Sequence, residues 1–163
     1  MHVSGKGSGR ISIAGLVAYR PRRQPRLFYR TAVHRGRKGE RRSLSEQNYA
    51  TLLTTAHQRL HAPIILIWDN LNTHLSKRMR VFLDANTDWL TVVRLPAYAP
   101  DLNAAEGVWS LLKRSLGNAI WTGIDDLTHT VKTRLRHLQH RPDATALNMW
   151  SVRSLWVDLI QRW

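Results

Sequence analysis

The chain has 163 residues, 43% of them apolar, enough for one ordinary domain with a real core and too apolar for a disordered segment. Lys and Arg number 25 against 11 acids, a net charge of +14, and cysteine is absent, which excludes disulfides and cysteine-zinc sites and makes a reducing cytoplasm the default compartment. The basic excess is uneven, since residues 1–63 carry 13 basic and 2 acidic side chains. A field of that sign attracts polyanions, nucleic acid above all, because each neutralised phosphate releases counterions. A membrane partner has no support: there is no lipidation signal, no basic amphipathic helix, and no apolar run near the roughly 18 residues that span a bilayer. The N-terminal MHVSGKGSGR has no apolar signal region, and no targeting peptide is expected.

In chain order, GKGSG at Gly5 to Gly9 lacks phosphate-loop spacing and leads into a strand, so it reads as a flexible turn. RISIAGLVAY (10–19) is β-branched and small, and Arg20-Pro21 stops it; RLFYR (26–30) is a second short strand, and the two form a hairpin. RGRKGERR (35–42) is a charge run with two glycines, either a solvated loop or a phosphate-contacting one. Ser45 and Glu46 open a helix through about Leu60, with Tyr49, Leu52, Leu53, Ala56 and Leu60 on one face. IILIW (64–68), bounded by Pro63 and Asp69-Asn70, has the signature of a strand buried on both faces. Ser76 caps a helix carrying Met79, Phe82 and Leu83 inward to about Asn86, and LTVVRL (90–95) is the next strand, so strand, helix and strand make an α/β crossover. Pro96 and Pro100 bracket a non-helical loop; Asn103 then starts a helix with Ala105, Val108, Trp109, Leu112 and Leu116 on one face, stopped by Gly117. Asp125 and Asp126 favour the start of a helix through about Gln139 with Leu127, Val131, Leu135 and Leu138 inward and Lys132, Arg134 and Arg136 on its other face. The Trp-rich tail, 141–163, reads as a further helix beside a main domain of 1–140, and no internal repeat appears.

Asp69 and Glu106 carry the chemistry. Each has a plain explanation: Asp-Asn after a strand is turn chemistry, and Asn103-x-x-Glu106 resembles a capping box. Together they say more. Strand ends are where ligands bind in open α/β sheets, and Asp69 sits at such an end while Glu106 begins a helix reached through a proline-bracketed loop. Two divalent ions about 3.5 to 4 Å apart need carboxylates converging from different elements.

At these residues the sequence resembles a known family. IILIWDNLNTH followed by WLTVVRLPAYAPDLNAAEGVWSLLK is similar to the second half of the catalytic domain of mariner-like transposases, especially the bacterial insertion-sequence branch, within the group of ribonuclease H-like folds. The resemblance covers roughly residues 10–140 and is strongest over 64–114. It implies an α/β, ribonuclease H-like mixed sheet flanked by helices, and a metal-dependent endonuclease and strand transferase that uses two Mg2+ or Mn2+ ions on DNA, at element ends and target. Asp69 matches the family's second acid and Glu106 its third, each binding one metal. Asn70, His74 and Asn103 are accessory candidates; for His74 a phosphate contact and a simple helix-approach role stand side by side. Candidate DNA contacts are Arg35, Arg37, Lys38, Arg41, Arg42, Lys113 and Arg114. The resemblance also implies a bacterial, nucleoid-associated protein acting as a homodimer or with an upstream-frame transposase polypeptide.

Thirty-six residues separate Asp69 from Glu106, slightly more than the family pattern, and Asn-Ala-Ala-Glu replaces the usual Asn-Pro-x-Glu. The family's first acid lies on a strand before the hairpin, so the resemblance implies that this chain starts after it. The expectation is therefore a sheet lacking its first strand, an exposed hairpin edge open to pairing with another chain, and impaired strand transfer. The alternative reading is a basic, non-catalytic DNA-binding remnant.

Overall fold

The computed structural model describes residues 9–40, 43–68, 76–94, 104–117, 120–141 and 161–162. It is a mixed α/β structure organised on a long antiparallel hairpin, β1 (Arg10–Ala18) and β2 (Arg26–His34), paired without a break from Arg10↔His34 to Ala18↔Arg26. The connection turns at Arg20–Arg23, where the Arg23 N–H donates to the Arg20 carbonyl at 3.0 Å, with Pro21 second in the turn and Arg22 at φ 62°. Proline presets that second position, and the third accepts positive φ most readily from glycine, so Arg22 is the strained residue of the turn.

Period-2 alternation gives the hairpin two apolar faces. Ala14, Leu16, Ala18 and Phe28 join one cluster; Ile11, Ile13, Val17 and Leu27 join another. On the first face lies α1 (Glu46–Leu60), burying Tyr49, Leu52, Leu53 and Ala56. Its start is fixed by reciprocal bonds: Ser45 Oγ accepts from the Asn48 N–H, and Asn48 Oδ1 accepts from the Ser45 N–H at 2.8 Å. It ends at His61, which takes a left-handed conformation at φ 49°.

The same cluster takes in a second, two-stranded sheet. β3 (Ile64–Trp68) and β4 (Leu90–Arg94) run parallel, with α2 (Lys77–Asp84) as their crossover, so the predicted strand–helix–strand unit is present. Ser76 caps α2 by accepting from the Met79 N–H at 3.2 Å, and Met79 is buried. Ile64, Leu66 and Leu90 face the cluster. The opposite face corrects in part the expectation of a strand buried on both sides: Ile67 is buried there, but Ile65 is 44% exposed, as is Val93 of β4 at 46%. A continuous apolar run does not by itself say that both faces are covered. His57 of α1 stacks on Trp89 at 4.2 Å, and the Trp89 indole donates to Asn86 Oδ1 at 3.0 Å, which ties the end of α1 to the α2–β4 connection.

On the other hairpin face lie α3 (Ala104–Leu116) and α4 (Ile124–Gln139). Val108, Trp109 and Leu112 from α3 and Val131 and Leu135 from α4 complete that cluster. Gln139 Nε2 donates to the Leu27 carbonyl at 2.8 Å, fixing the end of α4 to β2. Two expectations need correction. β2 extends four residues beyond the predicted RLFYR, because Thr31 to His34 each pair across to β1. The far edge of β1 is not left open along its length: Ser12 and Ile13 pair antiparallel with β5 (Gln161–Arg162), which is strand rather than the helix expected of the tail. Most of that tail, 142–160, lies outside the described residues, as do residues 5–8 of the glycine-rich start. No helix among the described residues is long and apolar enough to cross a membrane.

Candidate functional site

β3 ends at Trp68, immediately before Asp69 in the chain. The backbone of Glu106 lies in the first turn of α3, which begins at Ala104. The described elements are thus a strand that ends one residue before Asp69 in sequence and a helix whose first turn includes the backbone of Glu106. Asp69, Asn70, His74 and Asn103 fall outside the described residues, as do Arg41 and Arg42. Among the described residues no group of three or more His, Cys, Asp or Glu is arranged to hold a metal ion.

What seats α3 is visible. Trp109, one turn after Glu106, is fully buried, and a Cβ built on Gly15 would lie 2.6 Å from the far edge of its indole ring. Gly15 sits on the α3-facing side of β1, so the strand is cut back at one position to receive the indole. An isolated glycine inside a strand pattern is the sequence signal for such a close approach. The sequence reading placed Trp109 on the inward face of its helix and missed Gly15 as its counterpart.

The predicted basic contacts divide into two kinds. In the loop after β2, Glu40 accepts from the Arg35 N–H at 2.8 Å and the Arg37 N–H at 3.1 Å, while Gly36 and Gly39 take positive φ of 74° and 82°. These backbone N–H bonds, that to Arg37 foremost, hold the Glu40 carboxyl below its ordinary range. Arg35 is committed to Asp125 at the start of α4: its guanidinium donates to both carboxylate oxygens, the longer bond at 3.0 Å. That hydrogen-bonded pairing lowers the Asp125 pKa and raises that of Arg35. Arg37 and Lys38 are exposed and project from this anchored loop. Lys113 and Arg114 are exposed in the last turn of α3. The Arg35–Asp125 pair joins residues 90 apart in sequence and has no local signal.

Comparison with known proteins gives two findings. The family described as DDE superfamily endonuclease matches residues 35–128, more than half of the chain. Among solved structures, the chain is similar to one in the cryo-EM structure of the simian T-cell lymphotropic virus intasome in complex with PP2A regulatory subunit B56 gamma, at 11% identity and a TM-score of 0.46. That match covers 78% of this chain and 47% of the viral one, so the chain spans about half the length of its solved counterpart. No curated protein matches the sequence.

Proposed function

The chain belongs to the DDE superfamily endonuclease family, and from that premise we propose that it is part of a transposase catalytic domain of the mariner-like, bacterial insertion-sequence kind, with a ribonuclease H-like arrangement. Asp69 and Glu106 are its second and third metal-binding acids. The observation that supports this reading most is the order of elements: hairpin, helix, then a parallel strand ending at Trp68 just before Asp69, its crossover partner, and a helix carrying Glu106 in its first turn.

The donor set suits the chemistry. Both groups are carboxylates, the hard oxygen ligands that Mg2+ and Mn2+ prefer. A bound pair of such ions supplies Lewis-acid activation of water or of a DNA 3'-hydroxyl and offsets charge at the phosphate. The protein's own contribution is placement. α3 holds Glu106 at a height on β1 set by Trp109 and Gly15, and the exposed Arg37, Lys38, Lys113 and Arg114 neutralise DNA phosphates around the site. Action as a homodimer on paired element ends, or with an upstream-frame polypeptide, belongs to the same reading.

The test is nicking of supercoiled DNA with Mg2+ or Mn2+, assayed with the 163-residue chain and with any residues encoded upstream in frame. The expected result is metal-dependent nicking in the longer chain that falls at least 100-fold in Asp69→Asn and in Glu106→Gln. If neither chain nicks DNA while both bind it, the alternative of a non-catalytic DNA-binding protein stands in its place. A binding role has its own support in the exposed basic side chains of the loop after β2 and of α4.

A further inference from the structure

The outward face of α4 beyond its first turn is basic. Residues 129–141 (HTVKTRLRHLQHR) contain four Lys or Arg, three His and no acid. His129, Lys132, Arg134, Arg136 and His137 are all exposed, while Val131 and Leu135 turn the other side of the helix into the core. The two acids of α4 stand only in its first turn, and both are engaged: Asp125 by Arg35, Asp126 by the Thr122 N–H and hydroxyl at 3.2 and 3.3 Å. Charge–dipole attraction at a helix C-terminus accounts for basic residues in the last turn only. Arg136 and His137 lie there; Lys132 and Arg134 do not.

Spacing makes this a track. Asp125, His129, Lys132 and Arg136 recur at intervals of four, three and four, so they share one stripe of the helix. Its length from Asp125 to Arg136 is about 16 Å at 1.5 Å per residue. Because Arg35 binds Asp125, the basic loop bearing Arg37 and Lys38 is anchored at the beginning of that same stripe. Most of the track lies beyond residue 128, where the family match ends.

We propose that the loop 35–40 and the outward stripe of α4 form one continuous surface that binds the phosphate backbone of duplex DNA, with Lys132 and Arg136 as its principal contacts on the helix. The partner follows from chemistry. Residues 129–141 include no Phe, Tyr or Trp, the large rings on which unpaired bases stack best, which disfavours single strands. The apolar side of α4 is buried in the core, so nothing is left to insert into a lipid surface. This inference rests on the reading that the chain acts on DNA and is independent of the metal-binding assignment.

The experiment measures binding of a duplex of arbitrary sequence by fluorescence anisotropy, in EDTA, across a salt series. In K132A/R136A the slope of log K against log salt is expected to shallow by about 2, since each phosphate contact contributes about 0.9, and affinity at low salt to fall at least tenfold. Alanine suits an exposed helix position, and the charge-conserving K132R/R136K is expected to keep the parent slope. The control Ser45→Ala, at the cap of α1, leaves binding unchanged, and because binding is read in EDTA failure of the metal assignment is scored separately. An unchanged slope and affinity in K132A/R136A would overturn the proposal. So would tighter binding of single strands, duplex RNA or anionic vesicles than of duplex DNA, lost with the same two residues.

Discussion

The two faces of the β1–β2 hairpin are built on different principles. Toward α1 the contact is distributed: Ala14, Leu16, Ala18 and Phe28 meet Tyr49, Leu52, Leu53 and Ala56, with Ile64, Leu66, Met79 and Leu90 filling in from the second sheet. Toward α3 the contact is keyed, since the fully buried Trp109 occupies the space left by the missing side chain of Gly15. A distributed interface tolerates small errors by repacking. A keyed one fixes the height of a helix on its strand, which is what a carboxylate one turn before Trp109 needs. The scaffold is thus held by many ordinary contacts, and the helix bearing Glu106 by ordinary contacts of Val108 and Leu112 plus one specific fit.

The largest expected effect breaks the key. Trp109→Ala removes the biggest buried side chain and is predicted to cost about 3–5 kcal/mol in chemical denaturation. Leu53→Ala, fully buried on the α1 face, is predicted to cost about 2–5 kcal/mol, toward the lower end because that cluster relaxes more readily. Gly15→Ala should cost about 1–3 kcal/mol by overpacking against the indole. The sharpest form of the comparison is a double-mutant cycle. In the Trp109→Ala background Gly15→Ala should cost almost nothing, because the ring it strikes is gone, whereas Leu53→Ala and Gly15→Ala should add. Additivity of Gly15→Ala with Trp109→Ala would remove the keyed contact from the account. Ser45→Ala, which loses the α1 cap, is expected to cost about 1 kcal/mol without altering the seat of α3.

The smallest effect is at the loop. Glu40 and Asp125 both have folded-state pKa values below their ordinary ones, so their contribution is fully present above the usual carboxylate range near pH 4 and is lost as pH falls through the depressed values. The Arg35 and Arg37 amide resonances should therefore shift on acidification below about pH 4, ahead of any global unfolding. Asp125→Asn should remove the part of that shift owed to the Arg35 pair. Resonances that move only with global unfolding would mean that the loop is not held by these carboxylates.

Much of this architecture was legible because its causes are local. Ser45 and Ser76 mark helix starts, the three- and four-residue spacing in α1 and α4 marks their buried faces, and the β3–α2–β4 crossover follows from two apolar runs around a capped helix. The far half of β2 was not legible, because Thr31 to His34 are extended only through pairing with β1, and strand preference is decided by such partners. Ile65 looked like its neighbours in an apolar run, and only the placement of other elements leaves it exposed. Near the candidate site, the strand that ends at Trp68 and the helix that begins at Ala104 were readable from motif and order. The pairing of Arg35 with Asp125 was not, since charge counting treats every arginine alike and a partner 90 residues away has no local trace.

The most direct test of the central claim, that Asp69 and Glu106 share a metal site, is Mn2+-induced broadening of backbone amide resonances. The prediction is that amides at the end of β3 and in the first turn of α3 broaden together at one Mn2+ concentration, and that Asp69→Asn or Glu106→Gln abolishes both sets at once. Broadening of one set without the other, or broadening centred on the exposed acids Asp84 and Asp88 and indifferent to both substitutions, would contradict it.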